Sequence, residues 1–281
     1  MIWRLYQDRD ILPAFVASGC PKHGLHLLAL MVEGVAEKHP ASIYNSNHWH
    51  GTYMFDSFTL NQQPMERWFF LMSRVQQGYY VQGHLGHRQD VADFLRLSRA
   101  AHVFIYRDLR DVAVSMVHHA LDDDNDRCKH PAKGMYRAIR DQQGEGAVLS
   151  AIIEGIGPFP GVVKLWEAYA GWLDEEATHA VKYEDALADP VSVAGGILEY
   201  GLGQVTRDIW EVEHRVERSL FDQAVERMAG LSKRTDLSPT FRKGKAGGWR
   251  DVFEEHHKYL FKQQDHHGWL VRLGYEDNND W

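Results

Sequence analysis

The chain has 281 residues, a formal net charge of −8, 44% hydrophobic and 25% charged residues, which allows one large globular domain with a substantial core. The acidic balance argues against a nucleic-acid binder, which needs a basic face for phosphates, so any anion site is expected to be a local basic cluster. Two cysteines, Cys20 and Cys128, cannot make a disulfide framework; with no signal-like first segment and no run near the ~20 apolar residues of a membrane helix, the expected location is cytoplasmic.

An apolar run (Ile11, Leu12, Ala14, Phe15, Val16) leads into Ser18-Gly-Cys-Pro-Lys-His-Gly24, and an apolar segment with helical spacing follows through Val35. Strand, glycine-bearing loop with a lysine, then helix is an arrangement that cradles a phosphate. Backbone N–H groups at the helix start point at the anion, and the lysine adds a full charge. Lys22 precedes Gly24 by two residues, so this is not the ATPase loop, whose lysine directly follows its second glycine.

Residues 41–60 are aromatic and polar without clean periodicity and read as irregular chain able to line a pocket. Residues 65–74 look helical, Tyr79–His84 is β-prone, and 90–99 is an amphipathic helix. His102–Tyr106 is a second buried-strand candidate, and Arg107 to His119 opens a helix with acids in its first turn. Between 121 and 160 an acidic run and scattered glycines predict a mobile insertion capping a pocket. A helix over 162–172, a strand over 178–183 and a basic, glycine-rich loop at 238–249 follow. Strands alternating with helices imply one α/β domain over 1–281, with a parallel sheet of about four or five strands flanked by helices and a P-loop-like phosphate site.

Three segments, in this order, resemble the sulfotransferases that use 3′-phosphoadenosine 5′-phosphosulfate (PAPS). Cys20-Pro-Lys-His-Gly-Leu-His-Leu-Leu28 is similar to the family's 5′-phosphosulfate loop. Tyr106-Arg-Asp-Leu-Arg-Asp-Val-Ala-Val-Ser115 is similar to its 3′-phosphate motif, and Phe241-Arg-Lys-Gly-Lys-Ala-Gly-Gly-Trp249 to its late basic loop. Lys182-Tyr-Glu-Asp185 and Gly83-His84-Leu85 are weaker matches.

The resemblance implies a PAPS-dependent sulfotransferase with the sulfotransferase fold. It would pass a sulfuryl group to a hydroxyl or amine of a small-molecule acceptor, a specialised metabolite by expectation, and release 3′-phosphoadenosine 5′-phosphate (PAP). His84 would be the base, Lys22 the stabiliser of the leaving group, and Ser115 the third residue counted as catalytic. The donor would contact Pro21, Lys22, His23, Gly24, Leu25, His26 and Leu27 at one end. Arg107, Ser115, Arg242, Lys243 and Gly244 would hold the 3′-phosphate, with Phe221 on the adenine. Leu25 and His26 replace the family's paired threonines, and Leu27 its tryptophan. His23 adds an expected donor near the sulfate, and Gly248, where the family has aspartate, is expected to loosen the late loop. His48, Trp49, Tyr53, Phe55 and His84 are the expected acceptor contacts.

The histidine pairs at 48/50, 84/87 and 118/119 lack the spacing of a zinc site, so no metal is expected. Neither nucleic acid nor membrane is an expected partner, and a homodimer is compatible with the sequence. Two other readings stay open: a nucleotide-binding relative without turnover, motivated by Leu25 and Leu27, and a P-loop phosphotransferase.

Overall fold

The computed structural model describes residues 12–38, 77–122, 132–206, 218–234 and 246–281. The chain runs through β1 (Phe15–Gly19), α1 (Leu25–Val32), β2 (Glu37–Lys38), β3 (Tyr79–Gly83), α2 (Gln89–Ser98) and β4 (Ala101–Tyr106). It continues through α3 (Leu109–Leu121), α4 (Lys133–Gln143), α5 (Glu145–Glu154), the strands β5 (Gly155–Ile156) and β6 (Phe159–Pro160), and α6 (Val162–Ala170). Then come β7 (Thr178–Lys182), α7 (Tyr183–Ala188), α8 (Pro190–Thr206), α9 (Arg218–Ser232), α10 (Glu255–Gln264) and α11 (Trp269–Arg272). Short 3-10 turns occupy Gly171–Asp174 and Gly248–Asp251. Contacts divide the described residues into two units, one running up to 106 and again over 169–234, the other over 107–168 and 246–281.

In the first unit β1 is buried throughout, as a strand covered on both faces must be. Its side chains alternate between the two faces. Phe15 and Ala17, with Ala101, Val103 and Ile105 of β4, join a core shared with α1, α8 and α9. Ser18 and His102 are also buried but alternate away from those residues. There the His102 ring bonds Ser18 Oγ at 2.6 Å and Thr178 Oγ1 at 2.9 Å, and Trp172 meets it edge-on at 4.3 Å.

The sheet is parallel throughout, in the order β2-β3-β1-β4-β7. The four strands expected from sequence are present. A two-residue edge strand, β2, is added, too short to carry any alternation. Register pairs Ser18 with Gly83, Gly19 with Ile105, and Tyr106 with Lys182, so the carboxyl ends of these strands lie level. The chain leaves β1 toward β2 and β3, and leaves β4 toward β7, which makes the β1–β4 step a topological switch point. Ligands of open α/β sheets bind outside the carboxyl ends at such a point.

In the second unit α3 packs on α4 and α5, and α10 packs on α5. Within 121–160, expected to be a mobile insertion, residues 133–160 form two helices and a short hairpin that the sequence reading did not identify. Val148, Leu149, Ile152 and Ile153 make a buried stripe on α5. Gly144 (φ 87°) and Gly155 (φ 97°) bracket that helix in a left-handed backbone region favourable to glycine. Those glycines and the nearby acids obscure the helical period in the sequence. Residues 123–131 lie outside the described residues.

Candidate active site

The first unit holds the loop between β1 and α1. Gly24 caps α1 at φ 102° with no side-chain cap on the helix, so the amides at the helix start face outward from the end of the ladder. By contrast, α3 is capped by Asp108, whose carboxylate accepts the Arg110 N–H. An uncapped first turn beside a lysine suits an anion. Lys22 itself sits at φ 69°, a left-handed conformation that costs a non-glycine residue about 1–2 kcal/mol. Strain of this kind persists where the surrounding chain over-determines it, and it clusters at ligand sites.

Two packing contacts explain the loop's glycines. A Cβ on Gly19 would lie 2.9 Å from the Ile105 carbonyl oxygen, and one on Gly24 would lie 2.4 Å from Tyr183 Cδ2. Tyr183, the first residue of α7, is buried and closes the floor under the loop. His23 is completely buried, and its Nδ1–H donates to the Pro21 carbonyl at 3.1 Å. The His23 Nδ1 is thereby engaged within the loop.

His84 follows β3 directly, and the level register brings it beside β1. Its Nδ1 lies 2.7 Å from the Gly19 carbonyl oxygen. A carbonyl only accepts, so Nδ1 carries the proton and Nε2 is the acceptor nitrogen. Desolvation, opposed by the Gly19 bond and reinforced by the nearby His26 and Lys22 charges, lowers the His84 pKa to about 4. The same effects place Lys22, His26 and His84 within electrostatic reach of one another. The ring is thus neutral at physiological pH, with its basic nitrogen fixed by the backbone.

Phe221 is partly buried on α9, which packs against α1, and Leu27 rests on the same core. Leu27 lies in the first turn of α1, and Phe221 on the helix packed against it.

The second unit holds the other motif. Arg107 lies 3.5 Å through Nη2 from Asp111 Oδ2. Ser115, half-buried, is one further turn along α3, on the same face as Asp111. Asp111 also accepts Gly247 N–H at 2.7 Å and Trp249 N–H at 2.9 Å. The late loop, expected to be loosened by Gly248, is therefore tied down at residues 247–249 by a carboxylate from α3.

Among the described residues one group approaches metal-ligand spacing: Glu254, His256 and His257. His257 is committed elsewhere, since its Nδ1 accepts Glu254 N–H at 3.1 Å and its Nε2–H meets the Gly146 carbonyl at 3.0 Å. His87 pairs with Glu175 at 2.8 Å rather than with His84.

A family model described as the sulfotransferase domain matches residues 33–264. The chain belongs to the sulfotransferase family. No curated protein matches it. Among solved structures, the sulfotransferase is similar to mouse sulfotransferase SULT7A1 complexed with PAP, with TM-score 0.57, 17% identity and coverage of 96% of this chain and 91% of that one. It is also similar to retinol dehydratase in complex with androsterone and inactive cofactor PAP, with TM-score 0.50, 17% identity and coverage of 92% and 83%. A retinol dehydratase complex with retinol and PAP gives TM-score 0.50 and 17% identity over 93% and 85%. At that identity the likeness bears on the fold, which is the one expected from sequence.

The phosphosulfate-like loop of this sulfotransferase precedes residue 33, outside the family match, so its assignment rests on the geometry above. The structure groups Pro21–Leu27, His84 and Phe221 in one unit, and Arg107 and Ser115 in the other. Arg242, Lys243 and Gly244, and the acceptor candidates His48, Trp49, Tyr53 and Phe55, lie outside the described residues. Sequence reading passed over Tyr183 and Asp111 as working parts. Tyr183 stood inside the weak Lys182–Asp185 match, and Asp111 inside the 3′-phosphate motif, but neither reveals its contact without the fold.

Proposed function

We propose that this sulfotransferase moves the sulfuryl group of PAPS to a hydroxyl of a small-molecule acceptor, with His84 as general base and Lys22 neutralising the leaving group. The observation that carries this reading is the His84 ring, proton-bearing at Nδ1 on the Gly19 carbonyl, with Lys22 close enough to perturb it. A base needs an unprotonated nitrogen in fixed orientation, and a phosphate leaving oxygen needs a cation.

In the proposed step the acceptor oxygen forms a bond to sulfur while the bond from sulfur to the 5′-phosphate oxygen breaks. His84 Nε2 takes the hydroxyl proton. Lys22 and the first amides of α1 stabilise the charge left on that oxygen, and PAP departs. Transfers of this type ask for in-line positioning and charge stabilisation more than covalent participation by the protein. Arg107 and Ser115, with Arg242, Lys243 and Gly244, serve the 3′-phosphate, and Leu27 and Phe221 the adenosine. A small-molecule acceptor is supported by the retinol and androsterone held by structural neighbours. A reducing, cytoplasmic setting suits Cys20, whose buried thiol has its pKa raised by desolvation. No described helix is long and apolar enough to cross a membrane.

The test is calorimetric titration with PAP, ADP and ATP–Mg²⁺ on wild type and Arg107→Ala, followed by turnover of labelled PAPS with a phenol and alcohol panel. PAP binding that exceeds ADP binding by tenfold or more (about 1.4 kcal/mol or more) and is weakened in the variant supports the reading. Equal binding of ADP, or preferred ATP–Mg²⁺, overturns it in favour of a phosphotransferase. Selective PAP binding without turnover of any acceptor would favour the binding protein.

A further inference from the structure

Arg110 is a large, charged side chain with no exposed surface. Its Nε and Nη2 bond both oxygens of Asp108, at 3.0 and 2.8 Å, and its Nη1 bonds Glu276. Its guanidinium carbon lies 3.8 Å from the centre of the Trp249 ring and 4.6 Å from that of Trp281. Trp249 and Trp281 meet edge-to-face at 5.6 Å, and Trp281 continues onto Phe261 of α10 at 5.8 Å. A buried arginine satisfied by two carboxylates and two aromatic faces is a fastening rather than a ligand arm. What it fastens is specific. Trp249 is the residue whose N–H, with that of Gly247, is held by Asp111, and Asp111 is the same carboxylate that meets Arg107.

We propose that Asp111, Arg110 and the segment Glu276–Trp281 form a strap that sets the nucleotide selectivity of this enzyme for a 3′-phosphate. The strap holds the 247–249 turn through the Asp111 carboxylate and the Arg110 contact with Trp249. At the same time Asp111 orients Arg107. These are positioning residues, since their side chains contact one another, the turn and Arg107. Trp281, thirty-two positions beyond Trp249 in sequence, thereby acts on recognition through the Arg110 side chain. The inference rests on the PAPS reading above.

The experiment compares equilibrium binding of PAP and of 5′-AMP, which lacks the 3′-phosphate, to the full chain as wild type, Asp111→Asn, Trp281→Ala and Trp281→Phe. Loss of a charge-assisted contact predicts about a tenfold or greater fall in PAP affinity for Asp111→Asn and Trp281→Ala. Binding of 5′-AMP is expected to stay within about twofold, because the strap serves only the 3′ end. Trp281→Phe, which keeps an aromatic face for Arg110, should retain most PAP affinity. Equal losses for PAP and 5′-AMP would mean that the strap is merely structural and would overturn the proposal. So would unchanged PAP affinity in Trp281→Ala, a variant whose fold is checked independently by thermal denaturation should Asp111→Asn fail to fold. If wild type shows no preference for PAP over 5′-AMP, the donor reading falls and the strap falls with it. A wild-type preference that survives the strap variants overturns the strap alone.

Discussion

The acid limb of the reaction should lie well below the usual histidine range, and this follows from the surroundings of one ring. His84 is desolvated, its Nδ1–H is committed to the Gly19 carbonyl, and Lys22 and His26 oppose a further positive charge; together these lower its pKa to about 4. The free enzyme's base would then be about 97% unprotonated at pH 5.5, against about 9% for an ordinary histidine of pKa near 6.5. The profile of kcat/KM against pH, which reports the free enzyme, should therefore remain flat to about pH 5 and fall toward pH 4. Binding an anionic donor offsets the Lys22 charge and favours the imidazolium, so the limb in kcat should lie at higher pH than the limb in kcat/KM. His84→Gln should lose about 10²- to 10⁴-fold in kcat and lose the limb as well. The assay is sulfation of a phenol at saturating and limiting donor from pH 4 to 8, with circular dichroism to confirm folding at each point. A limb in kcat/KM near pH 6.5, or an unchanged limb in His84→Gln, would refute the assignment.

Three further outcomes follow from the same geometry. Lys22→Met should lower kcat by about 10²-fold or more, as expected when a charge aimed at a developing anion is removed; unchanged turnover in steady-state kinetics would remove Lys22 from the mechanism. Gly24→Ala should cost about 2 kcal/mol or more by urea denaturation, combining a left-handed backbone with the close approach of Tyr183. Adding Tyr183→Leu to that variant should recover part of the loss, and no recovery would mean that the clash is not the cause. His102, buried against Ser18, Thr178 and Trp172, has its pKa lowered to about 3, chiefly by desolvation. The unfolded chain therefore takes up the proton first, and this contribution to stability is full above pH 6.5 and lost as pH falls toward 3. The slope should be about 1.4 kcal/mol per pH unit within that window, and a His102→Asn variant with the same acid sensitivity in urea titrations would disprove it.

How much of this was legible in the sequence varies by residue, for physical reasons. Phe15–Gly19 and Ala101–Tyr106 were recognisable because strands buried on both faces need continuous apolar runs. The loop at 20–24 was recognisable because a close backbone approach needs glycine. Helix α5 was not, since its four buried apolar residues are crowded between two glycines and an acidic stretch. The late basic loop read as loose at Gly248 because the carboxylate that holds it, Asp111, is 136 positions away from Gly247.

The sequence by itself determined the family, the parallel sheet and the identity of the chemical groups, because periodicity and motif spacing are local properties of the chain. The tertiary structure decided what those groups can do. Register places His84 against Gly19 and so fixes which nitrogen carries the proton. Burial makes His102 an acid-sensitive core residue, and the turn at Pro21 takes the His23 Nδ1–H. Long-range packing joins Arg110 to Trp249 and Trp281. Tautomer, pKa and strap all depend on neighbours far away in sequence, which only the folded chain brings into contact.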